Sequence, residues 1–259
     1  MSRLPILISI PHGGEKIPDE LEDRIRIGKK DILDDIDAFS REVFDLEHRV
    51  REVVAADFAR PFVDLNRSLK ELPPEFPDGV IKSSTVLLEQ IYIDGLEPDD
   101  ELISTLIKRY YRPYHNRIRE LAQSEKFILG LDCHSMAPVG PPYSRDPGRS
   151  RPLICLGNVN GKSSDWSTIE NLAECFRKTF SMGKSQVTLN DPFAGGYITK
   201  TYGNEPLPWI QVELNRSLYL EHFPFLKSSF KMNKTKVEKL RRKVEKTLEM
   251  FCGRLLQLE

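Results

Sequence analysis

The chain has 259 residues, with 38 lysines and arginines against 39 aspartates and glutamates, for a formal net charge of -1. That length buries a sizeable core, and a charge near zero leaves no global field to recruit nucleic acid or an anionic membrane, so a charged ligand must be met locally. No apolar run approaches the ~20 residues of a spanning helix, and Cys133, Cys155, Cys175 and Cys252 are widely spaced, form no C-x-x-C pair and follow no secretion signal, so they read as reduced thiols of a cytoplasmic protein.

The first element in chain order is a strand at Leu4–Ser9, which runs into "SIPHGGE" and so delivers His12 and Glu15 at its end. Ile36–Val54 reads as a helix with Phe39, Val43, Phe44, Leu46 and Val50 on one face. A second strand is expected at Phe58–Val63, followed by "DLNRSL" (Asp64–Leu69) and a loop rich in proline and glycine at Leu72–Gly79. Asp99–Ala122 is helical, with Pro113 expected to kink or break it. A strand at Phe127–Leu131 leads to His134, and a second Pro- and Gly-rich loop covers Ala137–Arg151. Next comes a strand at Leu153–Leu156. The stretch "GNVNGKSS" (Gly157–Ser164) has three residues between its glycines where a phosphate-binding loop needs four, which argues against nucleotide hydrolysis. A helix at Ser164–Phe180 and strands at Gln186–Leu189 and Trp209–Leu214 follow, the last running into "ELNRSL" (Glu213–Leu218). The C-terminal helix, Lys234–Gln257, carries Val237, Leu240, Val244, Leu248 and Phe251 at helical spacing and turns its basic residues to solvent. This alternation predicts a single α/β domain over residues 1–259, a mixed, mostly parallel sheet with helices on both faces.

Five histidines are present. His48, His115 and His222 read as solvated or core imidazoles. His12 and His134 both follow apolar runs, so both arrive at one edge of the sheet. Two imidazoles and a carboxylate from strand-end loops are the usual protein share of a catalytic zinc site. Glu15, in an H-x-x-E loop with Gly13 and Gly14, can point the same way as His12, and Asp132 and Ser135 are placed to orient an imidazole. Arg67, beside Asn66, presents a planar fork suited to a substrate carboxylate, and Arg216 in the twin motif is the competing clamp. Arg60 is a further cation for a developing oxyanion. Glu213, ending a buried-looking strand, reads as a partner of Arg216, as a general base, or as both.

The ordered set "SIPHGGEKIP", "DDIDAFSREVFD", "FVDLNR", "YYRPYHNRI", "LDCHSM", "ICLGN", "GGYITKTYGN" and "IQVELNRSLY", from Ser9 to Tyr219, resembles the N-formylglutamate amidohydrolase family. That family is similar in fold to zinc carboxypeptidases and to aspartoacylase and succinylglutamate desuccinylase, which use H-x-x-E, then D-L-N-R, a later His and a late Glu. The resemblance implies a three-layer, zinc-carboxypeptidase-like (phosphorylase/hydrolase-like) architecture with one Zn2+ per chain. It also implies hydrolysis of an N-acyl amino acid, N-formyl-L-glutamate giving glutamate and formate, with Glu213 as the base. Many family members lack a glutamate three residues after the first histidine and carry a D-x-D stretch, matched here by Asp35-Ile36-Asp37. The metal set is therefore His12, His134 and Glu15, with Asp35 or Asp37 as the alternative carboxylate. A broader N-acyl amino acid deacylase, a carboxypeptidase-like hydrolase and a non-catalytic binding protein on the same fold are the rival readings. The partner in the favoured reading is a small molecule, with no nucleic acid and no membrane.

Overall fold

The computed structural model describes residues 3–124, 126–141, 144–220 and 232–255; His222 and residues 256–257 of the expected last helix lie outside them. Six strands form one sheet: β1 (Leu4–Ile10), β2 (Val50–Ala55), β3 (Leu129–Met136), β4 (Ile154–Gly157), β5 (Val187–Leu189) and β6 (Trp209–Asn215). Their spatial order is β2-β1-β3-β6-β4-β5. All neighbours pair parallel except β4 with β6. Strand β1 is largely apolar towards both sides, as a strand covered on two faces must be, and its Ile6, Leu7, Ile8 and Ile10 are all fully buried.

The helices are α1 (Lys29–Asp35), α2 (Ser40–Phe44), α3 (Asp100–Leu106), α4 (Arg112–Ala122), α5 (Trp166–Phe180), α6 (Tyr197–Tyr202) and α7 (Lys234–Leu255). On one face, α2, α5 and α7 pack over Ile6, Ile8, Leu131, Val212 and Leu214. On the other, α4 and α6 cover Leu7 and Trp209. In α5, Ile169, Leu172, Ala173 and Phe176 recur at helical spacing and are buried, and Asp165 caps the first turn by accepting from the Thr168 amide at 2.6 Å. The five apolar positions expected on α7 are all buried.

Two expected elements are different. The helix anticipated over Ile36–Val54 shrinks to α2, and Val50–Ala55 becomes the edge strand β2, because the β-branched Val50, Val53 and Val54 pair with β1. Phe58–Val63 is not a strand. Pro61 brings no N–H for a ladder, and the segment forms turns in which the Phe62 and Val63 amides donate to the Ala59 carbonyl while Ala59, Phe62 and Val63 fill the core. Pro113 does not break its helix. Ile107–Tyr111 forms a π-helical turn just before it, which widens the ladder where the ring would clash, and the helix runs on to Ala122.

Two polar tracks share one face of the central strands. Trp209, Gln211 and Glu213 alternate up β6, and Gly130, Asp132 and His134 alternate up β3 in register with them. At the bottom the Trp209 indole lies where a side chain on Gly130 would stand, 2.3 Å from its Cβ. Gly130→Ala is therefore expected to cost about 1–3 kcal/mol of stability through overpacking, read from a urea unfolding midpoint. An unchanged midpoint would show that the indole shifts freely.

Candidate active site

The apolar strand β1 ends at Ile10, and Pro11 carries the chain directly to His12. On β3 the two-residue alternation that buries Leu131 and Cys133 on one face presents Asp132 and His134 on the other. The two imidazoles meet edge to face with ring centroids 4.7 Å apart. Between α1 and α2, residues 36–38 are pinned at three points: the Asp37 amide donates to the His12 carbonyl (3.0 Å), Arg216 to the Ile36 carbonyl (2.8 Å) and the Tyr219 hydroxyl to the Ala38 carbonyl (2.9 Å). That anchoring turns the Asp37 carboxylate towards the histidines.

Each ring is held from behind by a carboxylate. His12 Nε2 is 2.8 Å from Asp64 Oδ1, and His134 Nε2 is 3.0 Å from Asp132 Oδ1. An ionised carboxylate only accepts, so Nε2 carries the hydrogen in both rings and both Nδ1 lone pairs face forward. They face Asp37 Oδ2, at 3.7 Å from His12 and 3.1 Å from His134. Three acceptor atoms thus converge in a buried place, and only a cation or a shared proton reconciles them. With protons alone, His134 rises well above the ordinary histidine value; burial opposes this, and the charge and hydrogen bond of Asp132, with Asp37, outweigh it. Asp37 falls well below the carboxylate range because hydrogen bonds to His12 and His134 overcome its burial.

The donor set fits a metal. One atom each from His12, Asp37 and His134 lie within 4.8 Å of one another, the single such group among the described residues. Its chemistry, two imidazoles and a carboxylate with the second ring nitrogens held by carboxylates, suits a divalent metal ion. Asp37 offers one oxygen to it. Its other oxygen accepts from Arg216 at 3.1 Å, and the Ser135 amide donates to the oxygen that faces the histidines at 3.1 Å.

The carboxylate in this group is Asp37, not Glu15. Gly14 packs against the backbone of Asp57 and Phe58, and the Lys16 amide donates to the Asp57 carbonyl (3.0 Å), so the chain is carried away from His12 and Glu15 ends exposed beside Ile17 and Ile27. Asp35 lies on the far side of the same turn. It is buried against the Lys82 ammonium (3.2 Å) and the Val86 amide (2.6 Å).

Glu213 faces His134 across the β3–β6 ladder, buried, with Gln211 donating to one oxygen at 2.7 Å. Burial pushes its carboxyl up to about 7, with His134 pulling down and Asp37 pushing up. Arg60 spends Nε and Nη2 on Asp64, at 3.2 and 3.0 Å, rather than standing free for an oxyanion. Arg216 is likewise committed, to Asp37, the Ile36 carbonyl and the Ser135 hydroxyl. The Asn66 side-chain oxygen accepts from the Ile198 N–H (2.8 Å), so it braces the start of α6, and its Nδ2 lies 3.1 Å from His134 Nε2. Arg67 remains partly exposed, its guanidinium on Asp78. Sequence reasoning missed Gln211, Lys82 and Asp78. The two-residue spacing of Gln211 from Glu213 on one strand face was a usable signal, whereas Lys82 and Asp78 lie in irregular chain.

Among the described residues no helix is long and apolar enough to cross a membrane. The family model for N-formylglutamate amidohydrolase matches residues 4–220. The chain is 31% identical to the N-formylglutamate deformylase of Pseudomonas putida, over 85% of this chain and 83% of that one, and 30% identical to that of Pseudomonas aeruginosa, over 86% and 85%. A crystal structure of N-formylglutamate amidohydrolase from Ralstonia eutropha superposes with a TM-score of 0.80 at 22% identity, covering 97% of this chain and 94% of that one, and so shares the fold. With the match running from β1 to just past β6, and both deformylases covered over most of their length, the chain is an amidohydrolase that belongs to the N-formylglutamate amidohydrolase family.

Proposed function

We propose that the protein hydrolyses N-formyl-L-glutamate to formate and L-glutamate, at a centre where His12, Asp37 and His134 hold one zinc ion. The observation that carries this reading is the convergence of both Nδ1 atoms on Asp37 with Glu213 in register beside His134. A zinc ion, when bound, supplies Lewis acidity and lowers the pKa of a water from about 15.7 to about 7. Glu213 removes a proton from the attacking water and returns it to the amide nitrogen as the C–N bond breaks. The hydroxyl ends on the formyl carbon and the hydrogen on the amine, so one water is consumed per bond. Asp64 and Asp132 keep the two imidazoles in the tautomer that points Nδ1 forward. Arg216 holds Asp37 to one free oxygen, and Arg60 balances Asp64. The likeness to zinc carboxypeptidases finds support in this donor set and in a carboxylate base on the neighbouring strand.

Arg67 is assigned to the substrate's α-carboxylate, because its fork is the one in the region held by an exposed side chain rather than by buried ones. The test is a panel of N-formyl, N-acetyl and N-succinyl amino acids and C-terminal peptides, with metal content measured on the same sample. N-formylglutamate should turn over fastest. Faster cleavage of the acetyl, succinyl or peptide substrates would replace this reading with the broader deacylase or the carboxypeptidase-like one, and no turnover of any would favour a binding protein. For the clamp, amidating the substrate's α-carboxylate should slow the wild type by about 10²-fold and Arg67→Ala little further, since one partner has already gone. Losses that multiply would move the carboxylate elsewhere.

A further inference from the structure

Arg67 does not wait with an empty fork. Its Nη2 donates to Asp78 Oδ2 and its Nε to the Asp78 carbonyl, both at 2.9 Å, while Glu71 and Asp64 stand off at 3.9 and 4.0 Å. Lys82, fully buried, holds the other Asp78 oxygen at 2.9 Å and has Asp35 as its second partner. Asp78 therefore has two cations, yet its side chain is 63% exposed, the most solvated carboxylate of this charge network. Burial raises its carboxyl, and Lys82, then Arg67 and Arg60, bring it down to about 2, so it stays ionised at any working pH.

The backbone beneath Asp78 is fixed at both ends. The Val80 amide donates to the Glu71 carbonyl (2.8 Å), the Gly79 amide to the Phe76 carbonyl (3.0 Å) and the Asp64 amide to the Val80 carbonyl (2.7 Å). A rotation of one exposed side chain can release Nη2 without moving this frame. The Nε bond to the Asp78 carbonyl would persist and keep the guanidinium aimed, and Lys82 would keep Asp35. A planar guanidinium that has lost a carboxylate from one edge is best satisfied by another carboxylate.

We propose that Asp78 is an internal stand-in for the substrate carboxylate, occupying Arg67 between turnovers and exchanging with it. Asp78 is thereby a specificity-determining residue. A ligand that brings a carboxylate replaces the displaced bond, whereas a neutral analogue must evict Asp78 and leave Arg67 unsatisfied. The inference rests on reading Arg67 as the clamp.

Asp78→Ala and Asp78→Asn test it against N-formylglutamate, its α-carboxamide, and glutarate as a dicarboxylate with no amide to cleave. If Asp78 competes, both variants lower KM for the acid by about 3–10-fold, the share of Arg67 that Asp78 had occupied, with kcat little changed. Glutarate, followed by calorimetry, should bind tighter by a similar factor, and the carboxamide should gain nothing, so discrimination between acid and amide rises. A higher KM and weaker glutarate binding in both variants would overturn the proposal and make Asp78 a brace for Arg67. Thermal melting of both variants checks that the 72–79 loop remains folded, and Asp78→Asn, which keeps the side-chain shape, serves if the alanine melts low. Arg67→Ala separates the two failures. No rise in its KM for the acid would sink the clamp reading itself, while a rise there with no fall at Asp78 would sink only the stand-in.

Discussion

His12→Ala and His134→Ala are each expected to lose bound metal and, with it, essentially all turnover. Three protein ligands with an open fourth position are the minimum of a catalytic zinc site, and removing one imidazole leaves only two donors, one ring and Asp37. Asp37→Asn should behave like the histidine variants. Glu15→Gln, altering an exposed side chain outside the group, should keep both metal and rate. Asp132→Asn tests the brace behind the ring and should weaken metal affinity by about 10–100-fold. Elemental analysis and chelator competition read these results independently of activity. Full occupancy in both histidine variants would place the site elsewhere, and metal loss in Glu15→Gln would restore that residue to the centre.

Glu213→Gln should retain metal and substrate binding yet lower kcat by about 10²–10⁴-fold, the range for a positioned general base. The pH profile sharpens the test. A base acts in its ionised form, so kcat/KM stands above the Glu213 pKa and falls as pH drops through it. Burial sets that carboxyl at about 7 in the metal-free chain, and a nearby divalent cation favours the ionised form. The acid limb of the loaded enzyme is therefore expected below pH 7, and it should vanish in the glutamine variant. An unchanged kcat would leave Glu213 as the hydrogen-bond partner of Gln211 alone.

How much of this was legible depended on how far apart the interacting residues lie in the chain. His12 and His134 could be placed because each follows an apolar run that had to be a buried strand, and strand ends bring such residues together. The buried faces of α5 and α7 were equally readable, since Ile169, Leu172 and Phe176, or Val237, Leu240 and Val244, repeat at 3.6 residues. The segment 36–54 failed because Phe39, Val43, Leu46 and Val50 satisfy a helical period by accident, and only the pairing of Val53 and Val54 with β1 decides for a strand. The choice among Glu15, Asp35 and Asp37 turned on a loop anchored by Arg216 and Tyr219, some 180 residues away. Likewise, whether Arg67 or Arg216 is free for a ligand depends on what else each guanidinium meets. The twin motifs look alike in sequence, yet one arginine is consumed by a buried aspartate and the other by an exposed one.

The reversed direction of β4 carries a consequence for how such a scaffold diversifies. Chain leaving β3 at Met136 need not cross the molecule to re-enter the sheet. It returns as β4 at the same rim, where the Asn215 amide donates to the Leu153 carbonyl. Residues 137–153 thus form an excursion whose two ends are moored on neighbouring rungs. Such a segment can be lengthened, shortened or replaced wholesale without shifting a strand, at an entropic cost that grows only slowly with its length. Loop grafting between distant relatives would reshape the mouth of the site through this one insertion point, leaving His134 and Glu213 undisturbed.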